Sequence, residues 1–69
     1  ISAGFDAHYE DEMGGLRLLE QDYAWVTGQL KELADDCAQG RIVSILEGGY
    51  SLSALARSVA AHMRVLAEL

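Results

Sequence analysis

The 69-residue sequence has no proline and only one cysteine, and the scarcity of cysteine excludes two kinds of small protein. Cys37 has no second cysteine to pair with inside the chain, so a scaffold held by internal disulfides is excluded. A zinc ribbon is excluded because it needs several cysteines or histidines at fixed spacings. A domain of about 60 residues buries only about 60% of its unfolded surface, so a chain of this length has little core to stabilise it.

Basic residues are also scarce: five lysines and arginines stand against eleven aspartates and glutamates, for a formal net charge of −6. The five are scattered along the chain, so no nucleic-acid partner is expected. No apolar run approaches the roughly 18–20 residues of a membrane-spanning helix, so no membrane partner is expected either. A reduced Cys37 is compatible with the cytoplasm, and the prediction is a cytoplasmic protein.

The most informative stretch is an apolar run that ends in two glycines and a tyrosine. Ile42–Leu46 is typical of a parallel strand buried on both faces. Gly48 and Gly49 then remove side chains, which allows a tight turn and a close approach of the backbone to a ligand. In open α/β sheets ligands bind beyond the carboxyl ends of the strands, so Tyr50 lies where a site is expected.

A second strand end is predicted at the start of the chain. Residues 1–4 have the composition of a strand but are fewer than the about five or six residues of a typical one. We therefore expect the 69 residues to be a fragment of a longer protein, cut within this strand. Asp6 lies two residues past this apolar run, so it too follows the carboxyl end of a strand, as Tyr50 does after the later one.

Two helices complete the predicted fold. The first runs from about Glu20 to about Ala38, and the poor capping residue Leu19 predicts a frayed or shifted start. The second runs from about Leu52 to the end, with Ser51 as its N-cap. The order strand, helix, strand, helix predicts an α/β fold with parallel strands. Each helix carries an apolar stripe at helical spacing: Tyr23, Val26, Leu30, Leu33 and Cys37 on the first, and Leu52, Leu55, Val59, Met63 and Leu66 on the second.

The topology predicts that Asp6 and Tyr50 face one crevice, because parallel strands place their carboxyl ends on the same edge of a sheet. A carboxylate can bind a metal, and a phenol can donate a hydrogen bond to a developing oxyanion. Spacing alone leaves a second interpretation open, in which Asp6 caps a turn and Tyr50 packs its ring. Between the strands, the three consecutive acids at residues 10–12 are read as part of a solvated loop.

The residues themselves resemble the C-terminal part of the histone deacetylase superfamily, most closely its class II-like and acetylpolyamine amidohydrolase branch. The resemblance covers nearly the whole chain and implies an arginase-like three-layer α/β fold of several hundred residues, of which this chain would be a C-terminal fragment. The matching segments are Ser2–His8, Asp11, Gly14–Leu16, Tyr23, Gly40–Arg41 and Leu46–Tyr50.

The resemblance implies a zinc-dependent hydrolase that removes acetyl or related acyl groups from a lysine or polyamine amine. Asp6 matches the family's final zinc-binding carboxylate, and Tyr50 matches the tyrosine that polarises the amide carbonyl. Gly48 and Gly49 match the wall of the acyl-lysine tunnel, and Met13 matches a residue at its mouth. In the family another Asp, a His and a His-His pair lie upstream, so the 69 residues alone are predicted to be inactive.

Two departures from the family pattern concern the loop and the first helix. The family often has Asp-Pro where this chain has Asp11-Glu12, which predicts a more mobile and more acidic rim. It often has Ser or Thr where this chain has Leu19. Neither departure touches Asp6 or Tyr50.

Four other side chains that could carry chemistry are given structural interpretations. His8 forms an Asp-x-His pair with Asp6, but the matching family histidine is not a ligand. His62, in the middle of the second helix, is read as structural or exposed, Cys37 as a packing residue, and Glu47 as a buried structural carboxylate. The alternative to an enzyme is a non-catalytic structural module that self-associates into a homo-oligomer, because two strands and two helices leave apolar surface exposed.

Overall fold

The computed structural model describes residues 1–68 and confirms an α/β fold with parallel strands. The elements are β1 (Ser2–Ala3), α1 (Glu20–Cys37), β2 (Ile45–Leu46) and α2 (Leu52–Leu66). The two strands form a parallel pair in which Ser2 is opposite Ile45 and Ala3 is opposite Leu46. The helix α1 makes the crossover that parallel strands require, and α2 packs against it.

The later strand is shorter and more exposed than predicted. We expected a buried strand over Ile42–Leu46, but only Ile45 and Leu46 pair with β1. Their side chains are 62% and 58% exposed, and successive strand residues point to opposite faces. Neither face of β2 is therefore covered by residues 1–68, because the two helices mainly contact each other.

The helix α1 begins at Glu20 as predicted, without the expected fraying or shift. Leu19 has no side chain that could cap the helix, but the Asp22 carboxylate accepts a hydrogen bond from the Leu19 N–H at 2.8 Å. In a capping box the side chain of the third helical residue accepts from the backbone N–H of the N-cap residue, and this hydrogen bond does not depend on the N-cap side chain. At the other end the C-cap is Ala38, and Gly40, two residues further, has a φ of +76° and donates its N–H to the Ala34 carbonyl.

The fully buried side chains of the helices are small or polar, and the predicted apolar stripes are buried only in part. The partly buried members of the stripes are Tyr23, Leu30, Leu55, Val59 and Leu66. Thr27 is buried on α1, whereas Leu33 of its predicted stripe is 57% exposed and Cys37 is also exposed. On α2, Leu52 of the predicted stripe is 79% exposed. The two helices are in contact, and Thr27 of α1 is hydrogen-bonded to His62 of α2. The buried residues of α2 are Ala54, Ser58 and His62.

A buried hydrogen-bond chain through His62 ties three elements together. The Thr27 hydroxyl donates to the Tyr23 carbonyl at 2.6 Å, so His62 Nδ1 is the donor in its 2.8 Å contact with Thr27. His62 Nε2 then accepts from the Ser44 hydroxyl at 2.8 Å, next to β2. Burial lowers the pKa of His62, with the positive amino terminus acting in the same direction, so the neutral ring is favoured. The histidine is therefore structural and buried.

Candidate active site

The parallel pair carries its hydrogen bonding past the end of β1 and brings two loops together. The Glu47 N–H donates to the Ala3 carbonyl at 2.9 Å, and the Phe5 N–H donates to the Gly48 carbonyl at 2.7 Å. Asp6 therefore leaves the strand edge beside Gly48, and Tyr50 follows two residues further along the other loop. The backbone therefore places both residues after the ends of paired strands, whereas the cleft on which Tyr50 lies is not lined by Asp6. That the two side chains face one crevice stays a prediction.

The Asp6 carboxylate lies in a cradle of glycines. A Cβ on Gly48 would lie 2.9 Å and 3.1 Å from the two carboxylate oxygens, and one on Gly4 would lie 3.4 Å from Oδ1. A Cβ on Gly14 would lie 1.7 Å from the Asp6 backbone carbonyl oxygen, so that position excludes any other residue. These glycines leave room for the carboxylate and fix the loop that carries it.

Within residues 1–68 the structure places no hydrogen bond on the Asp6 carboxylate, and the side chain is half-buried. A carboxylate that is partly withdrawn from water and free of protein donors has its oxygen lone pairs available for a cation. No group of three or more potential metal ligands is found among the described residues. Asp6 therefore fits a metal as a single oxygen ligand, and this part of the chain does not form a complete site.

The acid at position 11 has the opposite environment, and the prediction of a solvated acidic loop is wrong for it. Asp11 is only 3% exposed. Its Oδ2 accepts hydrogen bonds from the backbone N–H groups of Tyr50 at 2.6 Å and Ser51 at 3.1 Å, and its Oδ1 accepts from the Met13 N–H at 3.0 Å. The Tyr50 N–H, helped by the other amides, lowers the pKa of Asp11, with burial acting against it.

Tyr50 and Met13 lie on an open cleft beside Asp11. The cleft is lined by these residues together with Glu10, Glu12 and Ser51. The Tyr50 side chain is 60% exposed and the Met13 side chain 73% exposed. Gly49 has a φ of +149° and packs so closely that a Cβ would meet Leu55 at 2.7 Å, which sets the turn ahead of Tyr50. The cleft thus presents a phenol, a thioether and carboxylates to solvent.

His8 has a structural role. Its ring is fully buried, Nδ1 accepts from the Glu10 N–H at 3.0 Å, and Nε2 therefore donates to Glu20 at 2.9 Å. Glu20 also pairs with Arg57 of α2, and Arg57 reaches Glu10 as well. The His8 hydrogen bond and then Arg57 lower the pKa of Glu20 to about 2. Both His8 nitrogens have partners, which agrees with a structural histidine.

Phe5 forms the apolar floor below the two loops. It is 3% exposed, and its ring lies 5.0 Å from the Tyr23 ring and 5.7 Å from the His62 ring, centroid to centroid. The Tyr23 hydroxyl is buried and has no hydrogen-bond partner within residues 1–68. Burial raises the pKa of Tyr23, with the Ala7 backbone acting in the opposite direction. Aromatic packing therefore joins the Asp6 loop to both helices.

Two further predictions about single residues are wrong. Cys37 was expected to pack and Glu47 to be a buried carboxylate, but both are exposed.

None of the helices in residues 1–68 is long and apolar enough to cross a membrane.

Comparison with known proteins decides the family. A family model described as the histone deacetylase domain matches residues 1–66. The chain belongs to the histone deacetylase family. The resemblance inferred from the segments around Asp6 and Tyr50 is thereby confirmed.

Individual members of the histone deacetylase family match nearly all of this chain. Type-2 histone deacetylase 1 of Dictyostelium discoideum is 50% identical over 68 residues, which are 99% of this chain and 5% of that protein. Histone deacetylase 6 of Caenorhabditis elegans is 42% identical over 66 residues, 96% of this chain and 6% of that protein. The crystal structure of the HDA15 HD domain matches with a TM-score of 0.80 and 41% identity, over 96% of this chain and 18% of that chain. The chain thus spans a small part of these proteins.

Sequence reasoning on this histone deacetylase segment missed the roles of Asp11 and Glu20. The hydrogen bond from the Met13 N–H to Asp11 has a local signal in the sequence. An aspartate that accepts from the N–H two residues later is a common turn motif, and Met13 is followed by two glycines. The hydrogen bond from the Tyr50 N–H to Asp11 joins residues that are 39 apart in the sequence, so it has no local signal. The same holds for the contact of Glu20 with Arg57, which are 37 residues apart.

Proposed function

We propose that this chain is the C-terminal part of the catalytic domain of a zinc-dependent hydrolase, which removes an acetyl or related acyl group from a lysine or polyamine amine. The proposal rests above all on one observation: the parallel strand pair brings Asp6 beside Gly48, and Gly48 precedes Tyr50 by two residues in the sequence. Membership of the histone deacetylase family supports it. An arginase-like three-layer domain would supply the residues that this chain lacks.

Asp6 is the residue that would hold the metal. Its carboxylate is half-buried, lies among glycines and accepts no hydrogen bond from residues 1–68, so its oxygen lone pairs are available to a metal. Zinc binds carboxylate oxygens at about 2.0–2.2 Å, and its catalytic sites have three protein ligands. When bound, zinc supplies a Lewis acid and lowers the pKa of water to about 7. Asp6 therefore needs partners from elsewhere in the catalytic domain.

Tyr50 is the proposed donor to the substrate. Its phenol hydroxyl would donate a hydrogen bond to the amide carbonyl oxygen, and that bond strengthens as negative charge builds on the oxygen in the transition state. Loss of one such donor typically lowers kcat by about 10²–10³. The 60% exposure of Tyr50 in this chain leaves the ring free to meet a substrate.

Gly48, Gly49 and Met13 would shape the entrance to the site. The two glycines keep the wall beside Asp6 thin, since a Cβ on Gly48 would meet its carboxylate. Met13 stands 73% exposed on the same cleft as Tyr50, where a flexible thioether can contact the stem of a long amine. The substrate class we propose is an acetylated amine with an extended alkyl chain, as in lysine and polyamines.

Two single variants in the whole catalytic domain test this assignment. Asp6→Asn is expected to lose both bound zinc, measured by atomic emission, and deacetylation of an acetyl-lysine peptide. Tyr50→Phe is expected to keep its zinc and to lose about 10²–10³ in kcat. A Tyr50→Phe enzyme with unchanged kcat, or an Asp6→Asn enzyme with full zinc content, would contradict the proposal.

The 69 residues alone are predicted to be inactive, because one zinc ligand does not make a site. The measurement is turnover of an acetyl-lysine peptide by the isolated chain in zinc-containing buffer, with the catalytic domain as the positive control. Turnover by the isolated chain that rises in proportion to its concentration would refute this prediction.

We also propose a cytoplasmic location, with Cys37 reduced.

A second candidate function is a non-catalytic module that associates with itself. The observation in its favour is the exposure of large apolar side chains on both helices and on β2, including Trp25 at 67% and Ile45 at 62%. The isolated chain is then expected to sediment as oligomers. Equilibrium sedimentation that gives a single monomer at all concentrations would count against this function.

A further inference from the structure

Asp11 connects the two loops that carry the proposed catalytic machinery. It comes from the loop that contains Asp6, and its carboxylate reaches the start of α2 in the loop that contains Tyr50. One oxygen serves the N–H groups of Tyr50 and Ser51, and the other serves the N–H of Met13. A single buried side chain thus holds the backbone of three residues of the proposed substrate cleft.

The chemistry of the contacts requires a carboxylate at this position. All three partners are N–H donors, and an ionised carboxylate only accepts hydrogen bonds. Hydrogen bonds to a charged acceptor are shorter and stronger than those between neutral groups, and the Tyr50 N–H approaches to 2.6 Å. An asparagine of the same shape would turn an NH₂ group towards at least one N–H and could not satisfy all three.

Nothing else in residues 1–68 fixes Tyr50 so directly. The phenol ring is 60% exposed, and the structure records no hydrogen bond from the Tyr50 hydroxyl to the described residues. The turn ahead of Tyr50 is held at Gly48, whose carbonyl accepts from the Phe5 N–H, and at Gly49, which packs against Leu55, but among residues 1–68 only the Asp11 carboxylate is hydrogen-bonded to Tyr50 itself. The placement of the ring therefore follows from the placement of the Tyr50 backbone, which the Asp11 carboxylate holds.

We propose that Asp11 is a positioning residue for the deacetylation step: it fixes the Tyr50 backbone so that the phenol hydroxyl meets the substrate carbonyl oxygen. The proposal rests on the proposed role of Tyr50 as the donor to that oxygen. The Asp11 oxygens are occupied by the N–H groups of Met13, Tyr50 and Ser51, so its effect on this step is expected to come through the Tyr50 backbone. A misplacement of about 1 Å at a catalytic group can lower the rate by about 10²-fold, so a loss of this anchor is measurable.

The test is a double-mutant cycle in the whole catalytic domain. Asp11→Asn is expected to lower kcat at least about tenfold, and by no more than Tyr50→Phe does, with zinc content unchanged. In a Tyr50→Phe background the same Asp11→Asn change is expected to have almost no further effect on kcat, because the donor it positions is already gone. Asp36→Asn, which removes the same charge from an exposed site on α1, is the matched control and is expected to leave kcat unchanged.

Two results would overturn the positioning role. One is an unchanged kcat in Asp11→Asn; the other is an equal fold-loss in the Tyr50 and Tyr50→Phe backgrounds, which indicates a general effect on folding. If Tyr50→Phe itself left kcat unchanged, the proposed function would fail, and the cycle separates that outcome from the failure of the Asp11 role.

A second variant covers the case in which Asp11→Asn does not fold. Replacement of Tyr50 by its α-hydroxy acid counterpart converts the amide between Gly49 and Tyr50 into an ester. The ester deletes the Tyr50 N–H, which is one of the three that donate to Asp11, and keeps the side chains of both Asp11 and Tyr50. The expected result is a lower kcat with unchanged zinc content, and an unchanged kcat would refute the proposal.

Discussion

The loop side of the molecule and its strand-and-helix side are built in opposite ways. On the loop side, polar side chains such as His8 and Asp11 are buried, and the backbone and neighbouring side chains bind their ring nitrogens and carboxylate oxygens. On the other side, large apolar side chains such as Ile45 and Leu33 are more than half exposed. His8 and Asp11 thus have their partners within this chain, whereas Ile45 and Leu33 are left uncovered by residues 1–68.

The difference indicates which part of the chain depends on what surrounds it. A buried polar group is stable only with its partners in place, and the loop side has those partners within the chain. Exposed apolar surface is stabilised by burial against something else, at about 25 cal/mol per Å². We infer that the arrangement of Asp6, Asp11 and Tyr50 is set locally, while the strands and helices depend on further apolar contacts.

The largest expected effect comes from Gly14→Ala, which attacks the loop side at its tightest point. The new Cβ would lie 1.7 Å from the Asp6 carbonyl oxygen, so the backbone that carries Asp6 must move. Turnover by the catalytic domain is expected to fall more than about 100-fold, together with its zinc content. The matched control is Gly15→Ala: no atom lies within 4 Å of its Cβ, although its φ of +65° costs about 1 kcal/mol of stability. Equal turnover in the two variants would show that the loop is not set as tightly as described.

Gly48→Ala is expected to have a smaller and more selective effect. Its Cβ would meet the Asp6 carboxylate at 2.9–3.1 Å, which displaces the side chain but not the backbone. Zinc affinity, measured by competition with a chelator, is expected to fall about 10–100-fold, as for other changes next to a metal ligand. Gly28→Ala on α1 is the control, because no atom lies within 4 Å of its Cβ, and it is expected to stabilise the domain by up to about 1 kcal/mol. Unchanged zinc affinity in Gly48→Ala would argue against Asp6 as a ligand.

The smallest expected effect concerns the helix side and its dependence on pH. Burial lowers the pKa of His62 below its usual value of about 6.5, so the unfolded chain binds a proton more readily than the folded one. Stability is therefore expected to fall as the pH drops below about 6.5 and to be level above it. In His62→Gln this part of the pH dependence should disappear from denaturant unfolding curves measured at pH 5, 6, 7 and 8. The same slope in both proteins below pH 6.5 would contradict the account.

The loop side has a separate pH window, which keeps the two regions distinguishable. His8 and Arg57 lower the pKa of Glu20 to about 2, against an ordinary value of 4.5. Its contribution to stability is fully present above pH 4.5 and is lost as the pH falls towards 2. The His62 and Glu20 effects therefore do not overlap between pH 5 and 8.

The order and type of the elements could be predicted from the sequence, because each depends on local signals. The first helix begins at Glu20 and the second at Leu52 as predicted, and the strands are parallel as the crossover requires. Glycine and apolar spacing carry that information. The family could also be recognised, since the segments around Asp6 and Tyr50 are distinctive at the level of residue type.

Burial could not be predicted from the same patterns. An apolar stripe indicates which face of a helix gains by burial, but it does not say whether this chain supplies the cover. Leu33 and Leu52 belong to such stripes and are exposed, while the polar Thr27 and Ser58 are buried. Asp11 was missed because its long-range partners are backbone N–H groups, which leave no trace in the residue types of Tyr50 and Ser51.

The most direct test of the central claim is a crystal structure of the catalytic domain with zinc and a substrate analogue that keeps the acetyl amide. Our account predicts an Asp6 oxygen at about 2.0–2.2 Å from zinc and the Tyr50 hydroxyl at about 2.5–3.0 Å from the amide oxygen. It also predicts that the Asp11 carboxylate still accepts from the Tyr50 N–H. A zinc ion bound without Asp6, or a Tyr50 hydroxyl turned away from the amide, would contradict the account.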